Sequence, residues 1–188
     1  MLELTTVGPN ETPAKKTFGG QLTLTTPLEG LRLVAGGLRQ DLTRTELVED
    51  GRDTMTSWNV GGELVHERFR LRAEYSPILF DRAEIDHRAY YVYGGVNVTS
   101  RLALHGQVED ATLTLPVGPG VSVDVDNFHR DLALGATYAF RPDVVVKAEH
   151  HWADTRRTET ADGGSSRLNP SEPADKVNYF ILSLSASF

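Results

Sequence analysis

Two adjacent histidines in the segment EHHW, His150 and His151, are the first residues whose type suggests chemistry, because imidazole is a common metal ligand. The segment has the pattern of a β-strand, and adjacent side chains of a strand point to opposite faces. The two histidines therefore cannot bind one ion together, and we expect no metal site and no cofactor. No arrangement of Ser, His and Asp and no carboxylate pair indicates catalysis, so we do not expect an enzyme.

Charged side chains occur at every second position of RFRLRAEY, where Arg70, Arg72 and Glu74 share one face of a predicted strand. A charged ladder suits the wall of a water-filled pore. An ion-pair network inside a plugged barrel is the alternative. The residues expected to line a pore are Arg32, Glu63, Arg70, Arg72, Glu74, Glu109, Lys147 and Glu149.

Composition limits the class of protein. The chain has 188 residues, of which 39% are hydrophobic, and it has no cysteine. No run approaches the roughly 18 apolar residues of a membrane helix, but a membrane β-barrel exposes only every second residue to lipid and gives a weak hydropathy signal. The net charge of −7 argues against a nucleic-acid partner. The first residues lack the basic start and apolar core of a secretory signal, so we expect any signal to lie upstream.

Period-two alternation predicts the elements that position these residues. In the closing NYFILSLSASF, Phe180, Leu182 and Leu184 share one face and serines occupy much of the other. Similar segments predict an all-β, antiparallel transmembrane β-barrel of which this chain supplies about nine strands, most near the roughly 9–11 residues that cross a bilayer. The predicted strands are 18–25, 31–40, 57–66, 68–77, 88–98, 101–110, 130–140, 143–153 and 177–188.

The connections between these strands alternate between short turns and long polar segments. The predicted long loops are 41–56, 78–87, 111–129 and 154–176. Outer-membrane barrels have short periplasmic turns and long extracellular loops, whereas a Greek-key sandwich has no reason to alternate in this way. The predicted organisation is an extracellular loop or N-terminal remnant at 1–16 and a transmembrane β-barrel at 17–188.

Aromatic residues near strand ends, on the apolar face, predict the interfacial girdle of a membrane barrel with lipid outside. The residues assigned to the girdle and to an assembly signal are Trp58, Tyr75, Tyr138, Phe140, Trp152, Phe180 and Phe188.

The closing FILSLSASF resembles the C-terminal targeting strand of bacterial outer-membrane proteins, with its terminal Phe188 and alternating hydrophobic residues. The segments TPLEGLRLVAGG, ELVHERFRLRAEY, AYYVYGGVNVTSRLALHGQVE and LALGATYAFRPDVVVKAEHHW are similar to the C-terminal half of porin-like barrels related to the phosphate-selective porin family. The resemblance implies the bacterial outer membrane as location. It implies outer-membrane lipid, the barrel-assembly machinery and small hydrophilic solutes as partners, with a homotrimer among the expected assemblies.

Phosphate-selective porins line their channel with many arginines and lysines, whereas the polar face here mixes Arg72 and Lys147 with Glu63, Glu109 and Glu149. Phosphate selectivity is therefore not transferred. We expect an outer-membrane porin that forms a passive, weakly selective diffusion channel for small hydrophilic solutes or anions.

Two alternatives stay open. One is an enzyme or adhesin built on the same barrel. The other is a soluble or plugged all-β barrel that binds a ligand or serves a structural or adhesive role. The odd strand number also leaves two versions of the barrel, because single-chain bacterial barrels have even numbers. Residues 31–188 could close alone as eight strands, or the segment is the C-terminal part of a wider barrel of about 16 strands, which we expect.

The targeting resemblance generates a testable prediction. Replacing Phe188 with Asp should lower the amount of assembled barrel in the membrane far more than the amount synthesised, because the assembly machinery would no longer read the closing strand. Quantitative immunoblots of outer-membrane and whole-cell fractions measure both amounts. Normal assembly of the variant would show that the resemblance is coincidental.

Overall fold

The computed structural model describes residues 14–43, 51–118, 120–155, 158–160, 166–168 and 174–187. The elements are β1 (Ala14–Thr25), β2 (Leu31–Thr43), β3 (Arg52–Val65), β4 (Phe69–Phe80), β5 (Ile85–Asn97), β6 (Leu102–Gly118), β7 (Val121–Arg141), β8 (Val144–Thr155), β9 (Thr158–Thr160), β10 (Ser166–Leu168) and β11 (Asp175–Ala186). The described part of the chain contains no helix that is long and apolar enough to cross a membrane.

Nine strands form one sheet in the order β1-β2-β3-β4-β5-β6-β7-β8-β11, and every neighbouring pair is antiparallel. The all-β, antiparallel prediction is confirmed. Strands β9 and β10 pair separately. Among the described residues β1 and β11 are the edges of the sheet and do not pair with each other. The alternative in which residues 31–188 close alone as eight strands is therefore wrong. In that barrel the edge of β2 would pair with β11, but here it pairs with β1.

Several boundaries differ from the prediction. Strand β1 begins at Ala14, so residues 14–16 belong to the sheet and not to the predicted remnant at 1–16. The predicted loops 78–87 and 111–129 are mostly strand, because β4 and β5 are joined at 81–84 and β6 and β7 at 119–120. Alternation continues through both segments, and cross-strand pairing extends with it. Most of 154–176 lies outside the described residues.

The two faces of the sheet differ in polarity and in exposure. We call the face that carries Glu63 and Glu149 the inner face and the opposite one the outer face. Large apolar side chains cover the outer face and are exposed there, with Leu182 and Leu184 at 67% and 70%. The most crowded positions, including Ala133, lie on the inner face, as expected for the concave side of a curved sheet. A soluble carrier with an oily interior would have the reverse arrangement.

Short turns join the strands at one end of the sheet, which we call the short-turn end. The turn at 26–30 illustrates why these connections are tight. Gly30 has a φ of +79°, and a Cβ there would lie 1.8 Å from the carbonyl oxygen of Val65. The Gly30 carbonyl in turn accepts a hydrogen bond from the Val65 amide at 2.9 Å. Only glycine fits this contact between neighbouring turns.

The polarity of both faces reverses toward the other end, the long-hairpin end. The outer face there carries a charged collar of Arg39, Arg88, Asp110, Arg130, Asp154 and Lys176. Beyond this level most inner side chains are apolar, with Asp53 and His87 among the exceptions. We call this inner set the upper apolar patch, and it comprises Met55, Ile78, Phe80, Ile85, Leu113, Leu115, Val123 and Val125. The reversal is expected where strands leave lipid for water, since the outer side must then be polar.

Asp53 of β3 holds the turn at 81–84 against the sheet. Its side chain is only 3% exposed. The carboxylate accepts hydrogen bonds from the backbone amides of Thr54 at 2.7 Å, Arg82 at 2.8 Å and Ala83 at 3.1 Å. A buried carboxylate is tolerated here because three amide donors compensate its charge.

Replacing Asp53 with Ala should loosen this turn, because buried amides would lose their acceptor. We expect a loss of about 1–3 kcal/mol in the free energy of unfolding and faster proteolysis near residues 81–84. Asp110→Ala is the control, since its carboxylate accepts no hydrogen bond from the described residues. Equal behaviour of the two variants in urea unfolding and limited proteolysis would contradict the assignment.

Candidate functional site

The inner face between the two ends of the sheet is the candidate functional site. Its first cluster is centred on Glu63, which lies in register with Arg32 on one side and Arg72 on the other. The Glu63 carboxylate lies 2.5 Å from the Arg32 guanidinium and 2.9 Å from that of Arg72, and Arg70 is 3.8 Å away. The Glu63 side chain is 12% exposed, whereas the arginines are about half exposed. The arginines therefore present positive charge to the space that the sheet curves around.

A second cluster joins β6 to β8 across β7. The Glu149 carboxylate lies 2.8 Å from the Lys147 ammonium and 3.0 Å from Nε2 of His105. His105 and Glu149 are not on neighbouring strands, and the residue between them in the register is Gly135. A Cβ on Gly135 would lie 2.4 Å from His105 Nε2, 2.7 Å from Glu149 Cγ and 2.8 Å from the carbonyl oxygen of Ala148. The missing side chain is what lets the two groups meet.

A third cluster lies between β7, β8 and β11. His151 Nδ1 is 2.6 Å from the Asp131 carboxylate, which also accepts a hydrogen bond from the Tyr179 hydroxyl at 3.2 Å. The His151 and Tyr179 rings stack with centroids 4.5 Å apart. His151 Nε2 has no hydrogen-bond partner among the described residues, so no hydroxyl nucleophile is positioned on it.

His150 and His151 lie on opposite faces, as the strand pattern predicts. His150 is on the outer face, with its ring centroid 4.3 Å from that of Trp152. Among the described residues no group of three or more His, Cys, Asp or Glu side chains could hold a metal ion.

One row of four inner residues runs from β4 to β7 and contains three carboxylates, with the Tyr91 ring between the first two. Glu74, Tyr91, Glu109 and Asp131 are successive partners in the register. Asn59 donates a hydrogen bond to Glu74 at 3.1 Å and the Tyr91 hydroxyl donates another at 3.4 Å. Neutral donors therefore satisfy Glu74, in contrast to the charged partners of Glu63.

The structure places all the predicted pore-lining residues on the inner face. Sequence reasoning did not include three buried or half-buried members of these clusters, His105, Asp131 and His151, nor the tyrosines 91 and 179. Their alternation put them on the polar face, but only cross-strand register shows which of them meet.

The predicted girdle residues within the described part of the chain lie on the outer face. Two aromatic pairs are present there in edge-to-face contact. Trp58 and Tyr75 have ring centroids 5.4 Å apart, and Tyr138 and Phe140 have centroids 4.9 Å apart. The first pair lies toward the charged collar and the second near the short-turn end. Phe188 lies outside the described residues.

No protein-family model matches the chain, and no curated protein matches it. Solved structures do match. OmpT of Vibrio cholerae, an outer-membrane protein folded in vitro, has a TM-score of 0.63 and 20% identity, over 92% of this chain and 56% of OmpT. Its trimer form has a TM-score of 0.59 and 19% identity, over 90% and 56%. OmpT expressed in the outer membrane has a TM-score of 0.58 and 20% identity, again over 90% and 56%.

At this identity the likeness shows the fold, which is that of an outer-membrane β-barrel. The outer-membrane location predicted from the sequence agrees with these neighbours. The comparisons give no support to the finer resemblance to phosphate-selective porins. The chain spans about 56% of the length of the OmpT structures.

The gap at Gly135 generates a matched prediction. Gly135→Ala should lower the free energy of unfolding by about 1–3 kcal/mol, because the new methyl group overlaps a backbone oxygen that cannot move. Gly94→Ala is the control, since its Cβ would meet only Leu71 at an ordinary 3.6 Å. Urea unfolding in detergent measures both. A Gly135→Ala protein as stable as the control would refute the close approach of His105 and Glu149.

Proposed function

We propose that this chain forms part of a passive diffusion channel for small hydrophilic solutes in the bacterial outer membrane. One observation carries the proposal: charged side chains such as Arg72 and Lys147 line the inner face, while the exposed outer face is apolar. A polar inner wall holds water, and an apolar outer wall requires lipid. This arrangement suits a water-filled lumen.

The width of the lumen depends on how the sheet closes. An unpaired strand edge in lipid leaves backbone groups without partners at a cost of several kcal/mol each. Within the described residues, β1 and β11 each have a neighbour on one side only, and we propose that further strands pair with these edges. We propose that these strands complete a barrel wider than the eight-stranded type, whose interior is filled by side chains. In this barrel the short-turn end faces the periplasm and the long-hairpin end faces the exterior.

The proposed selectivity between anions and cations is weak. Arg32 and Arg72 share the carboxylate of Glu63, and Lys147 shares that of Glu149, so positive and negative groups alternate along the wall. A passing ion meets both signs within a few ångströms. Selectivity for phosphate would need an excess of cationic side chains, and the described part of the wall has none, since Arg32, Arg70, Arg72 and Lys147 are matched by Glu63, Glu74, Glu109 and Glu149.

The proposal requires no catalysis and no cofactor. Lipid, the barrel-assembly machinery and permeating solutes are the proposed partners. A homotrimer is the proposed assembly, in line with the trimer form of the OmpT neighbour.

The proposal is tested by single-channel recording of the full-length protein in planar lipid bilayers. We expect stepwise currents and a small reversal potential in a KCl gradient. Lys147→Gln should shift the reversal potential toward cation preference, because it removes a charge from the lumen. Lys176→Gln is the control, since this lysine lies on the outer face of β11. Absence of current steps, or equal shifts in the two variants, would overturn the proposal.

A further inference from the structure

A depression lies on the inner face where the charged wall meets the upper apolar patch. Its floor consists of Ser76, Ala89 and Ala111, which are successive partners across β4, β5 and β6. Three small side chains in one row lower the surface between the larger residues on either side. The depression is thus formed by the strands themselves and not by a loop.

The edge of the depression toward the short-turn end is negatively charged and aromatic. Glu74 and Glu109 flank Tyr91 in the next row and also line the depression. Glu74 accepts hydrogen bonds from Asn59 and Tyr91, which are neutral. Glu109 accepts one from the neutral side chain of Gln107.

These two carboxylates differ from the others on the inner face in the charge of their partners. Glu63 and Glu149 have arginine or lysine partners at 2.9 Å or less. In the described part of the chain neither Glu74 nor Glu109 has a lysine or arginine within 4.0 Å, and the imidazole of His129 is 3.9 Å from Glu109. Neither carboxylate is therefore in a direct ion pair with a lysine or arginine, although the Arg72 guanidinium lies beside the Tyr91 hydroxyl.

The same row continues with a further carboxylate. Asp131 pairs with Glu109 in the register, and its side chain is 8% exposed. One of its oxygens, Oδ1, has no hydrogen-bond partner among the described residues. Its other oxygen lies 2.6 Å from Nδ1 of His151 and accepts a hydrogen bond from the Tyr179 hydroxyl.

The row beyond the floor does not itself line the depression and is mixed in polarity, because Nδ1 of His87 is buried there without a hydrogen-bond partner among the described residues. The next row toward the long-hairpin end contains Ile78, His87, Leu113 and Val125. Val125 is fully buried, and the His87 ring makes an edge-to-face contact with Phe128, with centroids 5.7 Å apart. A solute in the depression itself would have carboxylates and a tyrosine ring at one end and the methyl groups of Ala89 and Ala111 beneath it.

We propose that this depression binds organic cations that carry an apolar body, such as aryl or alkyl quaternary ammonium ions. The cationic head lies between Glu74 and Glu109 against the Tyr91 ring, and the apolar body contacts Ala89 and Ala111. Aromatic rings and carboxylates together recognise quaternary ammonium groups, which cannot donate hydrogen bonds. The inference rests on the proposed function in one respect, because a solute would reach the depression through the lumen of the channel.

Isothermal titration calorimetry of the full-length protein in detergent tests the site. The probes are benzyltrimethylammonium, tetramethylammonium, which lacks the apolar body, and phenylacetate, which has the opposite charge. We expect benzyltrimethylammonium to bind about tenfold more tightly than tetramethylammonium, and phenylacetate to give no binding at this site. Equal affinity for the three probes would overturn the inference.

Matched variants locate the site. Glu74→Gln and Glu109→Gln should each weaken benzyltrimethylammonium binding by roughly five- to tenfold, because each removes a charge that contacts the head group. Glu149→Gln removes one negative charge from the same face outside the depression and should change binding less than twofold. Equal effects of all three variants would show that only the general field of the lumen acts, and the inference would fail.

Bilayer recording separates this inference from the proposed function. A protein that conducts but does not bind benzyltrimethylammonium would refute the site and leave the channel standing. A protein that binds the probe with the expected variant pattern but carries no current would refute the channel and leave the site standing. When both hold, benzyltrimethylammonium should interrupt the current in wild-type protein and much less in Glu109→Gln.

Discussion

Backbone hydrogen bonding is the constraint on which the rest of the structure depends. In lipid an unpaired amide or carbonyl has no water with which to form a hydrogen bond. A chain that crosses the membrane as β-strands must therefore pair each strand with a neighbour. The antiparallel ladders from β1 to β11 do this across the whole sheet. Once the ladders are set, side chains alternate strictly between two faces, and one residue of slippage would place charges in lipid. Strand register therefore decides which residues face water.

Strand register also determines which side chains of the inner face can contact each other. Groups on alternate strands can meet only where the strand between them contributes a small residue. Gly135 allows His105 to reach Glu149. Where the rows are filled by longer side chains, ion pairs form between direct neighbours, as at Glu63. The positions of glycine and alanine on this face thus determine whether a charged side chain can pair across an intervening strand or only with a neighbouring strand.

The sequence predicts a large part of this arrangement. Alternation alone identifies the nine sheet strands and assigns the polar and apolar faces, because each transmembrane segment repeats one simple pattern. The long hairpins were missed because Pro116, Gly118 and Gly120 resemble loop residues, and because the polarity of the alternation reverses beyond the charged collar. The sequence did not predict the pairing of Arg32 with Glu63. This pairing depends on the register between two strands, which the local alternation pattern does not determine.

The hairpin of β6 and β7 extends past its neighbours, and this has a consequence for dynamics. From Leu115 to Val123 each strand is paired on one side only, within the described residues. An isolated two-stranded ribbon is marginally stable in water. Its amides should exchange with solvent through local openings that leave the barrel intact. The protein therefore combines a wall that opens only on global unfolding with a ribbon that fluctuates on its own. In a hydrogen-exchange experiment, β7 amides before His129 should exchange faster than those after it.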